Sequence, residues 1–258
     1  MDLGLTGKKA IVTGATRGIG RAIAEVLADE GCHVGICARD PATVEATVAA
    51  LAKKGVTATG RALDVRDGVA LKAWISEVGD ELDGLDILVS NVSAMGGLAG
   101  DEGWRRYFEV DLMGTVHAVE AAVPMLEKSG SGAIVQIASI AAIEVGHDVF
   151  PDGFLQAYGA MKAALTNYMA ELSRTLGPKG IRANTVSPGQ IYFPGGVWHK
   201  REQAGDPMYR KALEKIRVGR FGRPEDVARA VAFLASPAAG FVSGANLVID
   251  GAFTRRVN

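Results

Sequence analysis

The 258-residue sequence predicts one α/β domain, a doubly wound parallel sheet of about seven strands with helices on both faces. Three observations carry this reading. Short runs of β-branched and aliphatic residues alternate with long alanine-rich stretches of helical character, the order that builds parallel sheets. Some runs, such as Ile87-Leu88-Val89, are apolar at every position, as strands covered on both faces must be. The first run leads into a turn with glycines at 14, 18 and 20 and then into a helical stretch.

In chain order, strands are expected over 9–13, 33–38, 57–62, 87–90, 133–138, 182–187 and 246–249. Between them, helices are expected over 18–29, 41–53, 68–78, 104–126, 155–176 and 224–234. Asp40 before Pro41 reads as a helix cap, because aspartate accepts from first-turn amides and proline suits the first helical position. Residues 188–223 break the rhythm with Pro194-Gly195-Gly196, Trp198-His199-Lys200-Arg201 and a polar helical stretch. That is too long for an ordinary connection, and we expect a substrate lid inserted in the domain. No repeat or low-complexity linker interrupts the chain, so 1–258 reads as a single domain.

Composition excludes several classes. A formal net charge of −1 gives no reason to expect nucleic acid or an anionic membrane as partner. No apolar run is long enough for a spanning helix, and the N-terminus lacks the pattern of a signal peptide. Cys32 and Cys37 have odd spacing, which points them to opposite faces and argues against a disulfide between them. The four histidines, His33, His117, His147 and His199, are scattered, so no metal is expected. The expected address is the cytoplasm.

Two stretches carry chemistry. In Thr13-Gly14-Ala15-Thr16-Arg17-Gly18-Ile19-Gly20, the glycines permit a tight turn and close approach of backbone to a phosphate at the following helix N-terminus. An acid that would hold the ribose hydroxyls of an unphosphorylated dinucleotide is missing at the end of the second strand, where Ala38 and Arg39 stand. Arg39 and Arg17 suit a 2′-phosphate, so NADP(H) is the expected cofactor, with NAD(H) the second choice. Downstream, Tyr158 and Lys162 are four residues apart on a predicted helix and share one face. An ammonium beside a phenol favours the phenolate, which gives an acid or base usable near neutral pH.

With these residues in hand, the chain resembles the classical short-chain dehydrogenase/reductase family over essentially its whole length. The matching features are Thr13–Gly20, Asp64-Val65, Asn91-Val92-Ser93-Ala94, Ser139, Tyr158-x-x-x-Lys162, Ser187-Pro188-Gly189 and Val248-Ile249-Asp250-Gly251. The resemblance implies a Rossmann-type domain that moves hydride between a nicotinamide and a carbonyl or alcohol of a small molecule, usually as a homo-oligomer, dimer or tetramer. It implies that Tyr158 transfers the proton, that Lys162 binds the nicotinamide ribose, and that Ser139 steadies the substrate oxygen. Asp64 and Val65 would meet the adenine, while Asn91, Ser93, Pro188, Gly189 and Ile191 would border the nicotinamide side.

The chain also departs from the family pattern. Asp111 stands where the family has an asparagine that supports a water relay to the lysine. A carboxylate there would favour the ammonium. The stretch between Ser139 and Tyr158 is longer than usual and includes His147, Phe150 and Phe154, so it is expected to shape specificity. Phe150, Phe154, Trp198 and Tyr192 are candidates for a pocket wall or for core. Gln190-Ile191-Tyr192-Phe193 replaces a segment in which the family often has a threonine on the cofactor carboxamide. The expected activity is alcohol dehydrogenase or carbonyl reductase. The rivals are a 3-oxoacyl-thioester reductase and a non-catalytic NADP(H)-binding sensor or scaffold.

Overall fold

A computed structural model describes residues 2–95, 100–145 and 155–255. Its sheet holds β1 (Lys9–Thr13), β2 (His33–Ala38), β3 (Ala58–Ala62), β4 (Ile87–Ser90), β5 (Ala133–Ile137), β6 (Arg182–Pro188) and β7 (Asn246–Ile249). The order is β3-β2-β1-β4-β5-β6-β7, and every pair is parallel. The order reverses between β1 and β4, so their C-terminal ends diverge and open the crevice in which such sheets take ligands.

Helices cover both faces. They are α1 (Gly18–Asp29), α2 (Pro41–Ala52), α3 (Gly68–Glu81), α4 (Gly100–Tyr107), α5 (Gly114–Ser129), α6 (Gln156–Leu176), α7 (Val197–Gln203), α8 (Pro207–Lys215) and α9 (Pro224–Ala235). Strand alternation divides the core in two. Val12, Ile36, Val89, Val135 and Val186 pack under α1, α2 and α9, while Ile11, Cys37, Leu88 and Ile134 pack under α3, α5 and α6. Each fully buried residue of the Ile23 or Leu27 kind contributes about 1.5–3 kcal/mol by leaving water. Cys32 and Cys37 are free and belong to the two opposite cores, as their spacing implied.

Local chemistry sets the boundaries. Asp40 caps α2 by accepting from Thr43 N at 2.7 Å, and Asp67 caps α3 by accepting from Ala70 N at 2.9 Å. The single helix expected over 104–126 is instead α4, a π-helical turn at Phe108–Met113, and α5. A π turn inserts one residue without disturbing the apolar stripe on either side, so periodicity does not reveal it. Within 188–223, α7 and α8 enclose a small core of Trp198, Ala212, Ile216 and Phe221 that also takes in Ile140, the residue after Ser139. His147, Phe150 and Phe154 lie outside the described residues. Among the described residues no helix is long and apolar enough to cross a membrane, and no cluster of His, Cys, Asp or Glu has metal-binding form.

Candidate active site

The glycine turn is built as a cradle. Gly14 and Gly18 have φ of +67° and +54°, a region that side chains other than glycine rarely adopt. A Cβ on Gly20 would stand 2.3 Å from Gly14 O and 2.4 Å from Asn91 Nδ2, so only glycine lets the turn close. Asn91 buckles it: its Nδ2 donates to Thr13 O at 3.0 Å and Gly14 O at 3.1 Å, and its N donates to Thr13 Oγ1 at 3.0 Å. The side-chain amide is therefore engaged with the turn, a clamping role that sequence alone did not suggest. Arg17 caps α1 in extended conformation with no side-chain cap bond, leaving first-turn amides for an anion. Thr16 and Ile19 are half-buried along the turn, and the ring of Phe193 lies over Gly18.

Arg17 and Arg39 are exposed, and among the described residues neither makes a hydrogen bond or ion pair. Asp40 is engaged as the α2 cap and does not pair with them. Asp64 accepts from Arg66 N at 3.0 Å and from its guanidinium Nη2 at 2.7 Å. That pairing holds its carboxyl below the usual carboxylate range. Val65 is buried beneath Gly114. On the other side of the crevice, Pro188 ends β6, Gly189 N donates to Ile249 O at 2.9 Å, and Ile191 is buried in a bridge to Gly222.

The candidate catalytic residues Ser139, Tyr158 and Lys162 lie beyond β5. Lys162 is 1% exposed, and its Nζ lies 3.1 Å from Ile137 O, 3.1 Å from Asp111 Oδ1 and 5.7 Å from the centre of the Tyr158 ring. Burial alone would disfavour its ammonium, but the Asp111 carboxylate and nearby phenols outweigh burial and raise its pKa. Tyr158 is half-buried with Tyr107 edge-on at 5.7 Å. Ser139 caps a short turn at Ile140–Ala142, its Oγ accepting from Ala141 N at 3.2 Å. This turn lies against α6: a Cβ on Gly159, next to Tyr158, would stand 2.8 Å from Ala141 O.

Asp111 ties these parts together from the π-helical turn. Its carboxylate also accepts from Ser93 Oγ at 2.7 Å and Ala94 N at 2.8 Å, so Ser93 faces Asp111. Its main-chain carbonyl is taken by Thr115 Oγ1 at 2.7 Å, and Thr115 lies 2.9 Å from Ser90 Oγ and 3.2 Å from Gln136 Oε1. Tyr107, Thr115 and Gln136 were not singled out from sequence. For Thr115 and Gln136 the only signal was polarity inside otherwise apolar runs.

The chain is similar to known proteins over nearly its whole length. The family model described as Enoyl-(Acyl carrier protein) reductase matches residues 14–254. Isoepoxydon dehydrogenase patN of Penicillium expansum is 37% identical over 97% of this chain and 96% of its own length. Dehydrogenase/reductase SDR family member 4 of Oryctolagus cuniculus is 33% identical over 98% of this chain and 96% of its own length. The crystal structure of L-sorbose reductase from Gluconobacter frateurii, complexed with NADPH and L-sorbose, superposes with a TM-score of 0.88 at 31% identity, covering 100% of both chains. By these likenesses the chain is an oxidoreductase that belongs to the short-chain dehydrogenase/reductase family.

Proposed function

We propose that the chain transfers hydride between NADP(H) and a small carbonyl compound or secondary alcohol, with Tyr158 as the proton-transferring residue. The observation that carries this is the placement of Lys162 Nζ 5.7 Å from the Tyr158 ring centre, charged and buried beside Asp111. The nicotinamide, when bound, supplies or accepts the hydride. In the reductive direction the Tyr158 hydroxyl gives its proton to the substrate oxygen, and Lys162 stabilises the phenolate left behind. Ser139 donates a hydrogen bond to the same oxygen, where negative charge develops.

The residues present fit the cofactor. Gly14, Gly18 and Gly20 with the open α1 N-terminus suit the pyrophosphate, and Lys162 suits the nicotinamide ribose. The guanidiniums of Arg17 and Arg39, which make no hydrogen bond or ion pair among the described residues, support a 2′-phosphate and hence NADP(H) over NAD(H). Asp64, Val65, Pro188, Gly189 and Ile191 would border the cofactor. Asn91 and Ser93 would act through the turn and through Asp111. Asp111 is read as holding the lysine end of a proton relay by its carboxylate.

Residues 188–223 are read as a lid within one domain spanning 1–258, because their small core encloses Ile140 beside Ser139. Exposed Trp104 and Phe108 support self-association as a dimer or tetramer. Buried, unpaired thiols at Cys32 and Cys37 support a reducing, cytoplasmic setting. One assay tests the activity: nicotinamide absorbance with both cofactors over ketones, aldehydes, sugars and acyl thioesters. Turnover with NADPH on a carbonyl is expected. NADPH binding without turnover anywhere in the panel would overturn it in favour of a sensor or scaffold.

A further inference from the structure

Among the described residues, two buried acceptor oxygens on the segments that follow β5 and β6 lack a donor. Gln190 is only 5% exposed, and its Oε1 has no hydrogen-bond partner among the described residues; Oε2 of the half-buried Glu144 is in the same condition. Both residues leave the C-terminal ends of neighbouring strands. β5 and β6 pair through Ile137 and Val186, which sets Ser139 level with Pro188. Glu144 follows Ser139 by one short turn, with its N donating to Ile140 O at 3.0 Å. Gln190 follows Pro188 by two residues, and its backbone is pinned because Gly222 N donates to Gln190 O at 3.0 Å and Tyr192 N donates to Gly222 O at 2.8 Å. The core that takes in Ile140 also carries Phe221, next to the Gly222 that pins Gln190, so both segments border the same small core.

An unmade hydrogen bond to a buried acceptor costs about 1–3 kcal/mol, and more when the acceptor is charged. Native proteins leave few such groups, and each one calls for an explanation, a bond completed by a ligand among them. A carboxylate only accepts, and the orphaned end of Gln190 is its oxygen, so the missing partner is a donor.

Resting on the carbonyl-reductase reading above, we propose that Gln190, aided by Glu144, is a specificity-determining residue that accepts a hydrogen bond from a second hydroxyl of the substrate. The substrate class is then hydroxy ketones and the corresponding diols or polyols. A site built to bind a hydroxyl discriminates strongly against the analogue that lacks it, because its acceptors are then left unpaired.

The test compares kcat/KM with NADPH for matched pairs: acetone against hydroxyacetone and dihydroxyacetone, and cyclohexanone against its α- and β-hydroxy derivatives. In the wild type a hydroxylated member should exceed its parent by about tenfold or more. Gln190→Met and Glu144→Leu should each move that ratio toward one, with the loss falling on the hydroxylated partner. Glu144→Gln, which keeps an acceptor oxygen, should retain most of the preference, and melting curves establish that each variant is folded. Equal turnover of parent and hydroxylated compound in the wild type, or a preference untouched by Gln190→Met, overturns this assignment while leaving the activity intact. Failure to reduce any carbonyl takes down both.

Discussion

Asp111 Oδ1 lies 3.1 Å from Lys162 Nζ, and both side chains are buried to within 1% of complete. An ion pair this dry stands because each charge is compensated: the carboxylate also accepts from Ser93 and Ala94, and the ammonium also donates to Ile137 O. Removing one partner leaves the other charge buried alone. Asp111→Ala should therefore destabilise the fold by about 3–5 kcal/mol in chemical denaturation. Asp111→Asn, which keeps hydrogen bonding without the charge, should cost less. Equal stability of Asp111→Ala and wild type would contradict the pairing.

Gly20 is a packing claim that one methyl group tests. Its Cβ would fall 2.3 Å from Gly14 O and 2.4 Å from the Asn91 amide, both fixed parts of the cradle. Gly20→Ala should cost about 1–3 kcal/mol from overpacking and weaken NADPH binding as the turn opens. Thermal melts and a fluorescence titration with NADPH read the two effects. Unchanged binding would mean that the turn does not hold the cofactor.

Cofactor preference should depend on the exposed guanidiniums of Arg17 and Arg39. A hydrogen bond to a charged group contributes about 1.5–3 kcal/mol, so Arg39→Ala should lower the NADPH-to-NADH ratio of kcat/KM by about tenfold or more. Arg17→Ala should act in the same direction. A ratio unaffected by both substitutions would place the 2′-phosphate elsewhere.

Alkaline pH should unfold the protein in a definite window. Burial pushes the Cys32 and Cys37 thiols up to about 12, against an ordinary value of 9.0. At Lys162, burial favours the neutral amine, but Asp111 reverses that and raises the pKa above 10.5. All three groups have folded pKa values above their unfolded ones, so their contribution is complete below pH 9.0 and declines as pH rises toward about 12. Denaturation curves across that range should show the decline, and native thiols should resist modification near neutral pH. Rapid labelling of folded protein would contradict the burial.

The parallel strands, the glycine turn and the Tyr158–Lys162 pair were legible because each has a local pattern: apolar runs, a strand–turn–helix context, and a four-residue helical offset. The Asp40 cap was legible for the same reason. What escaped detection depends on contacts across the fold. The π-helical turn leaves the apolar pattern of its neighbours intact, yet it aims Asp111 at Lys162. Asn91 was expected beside the nicotinamide, and the structure engages its amide with the turn of β1, a pairing set by the β1–β4 neighbourhood.

Tyr158→Phe removes the hydroxyl proposed to transfer the proton while keeping the ring packed against Tyr107. With the best carbonyl substrate found, kcat under saturating NADPH should fall by about a hundredfold to ten-thousandfold, with NADPH affinity retained. Turnover close to that of the wild type would contradict that role.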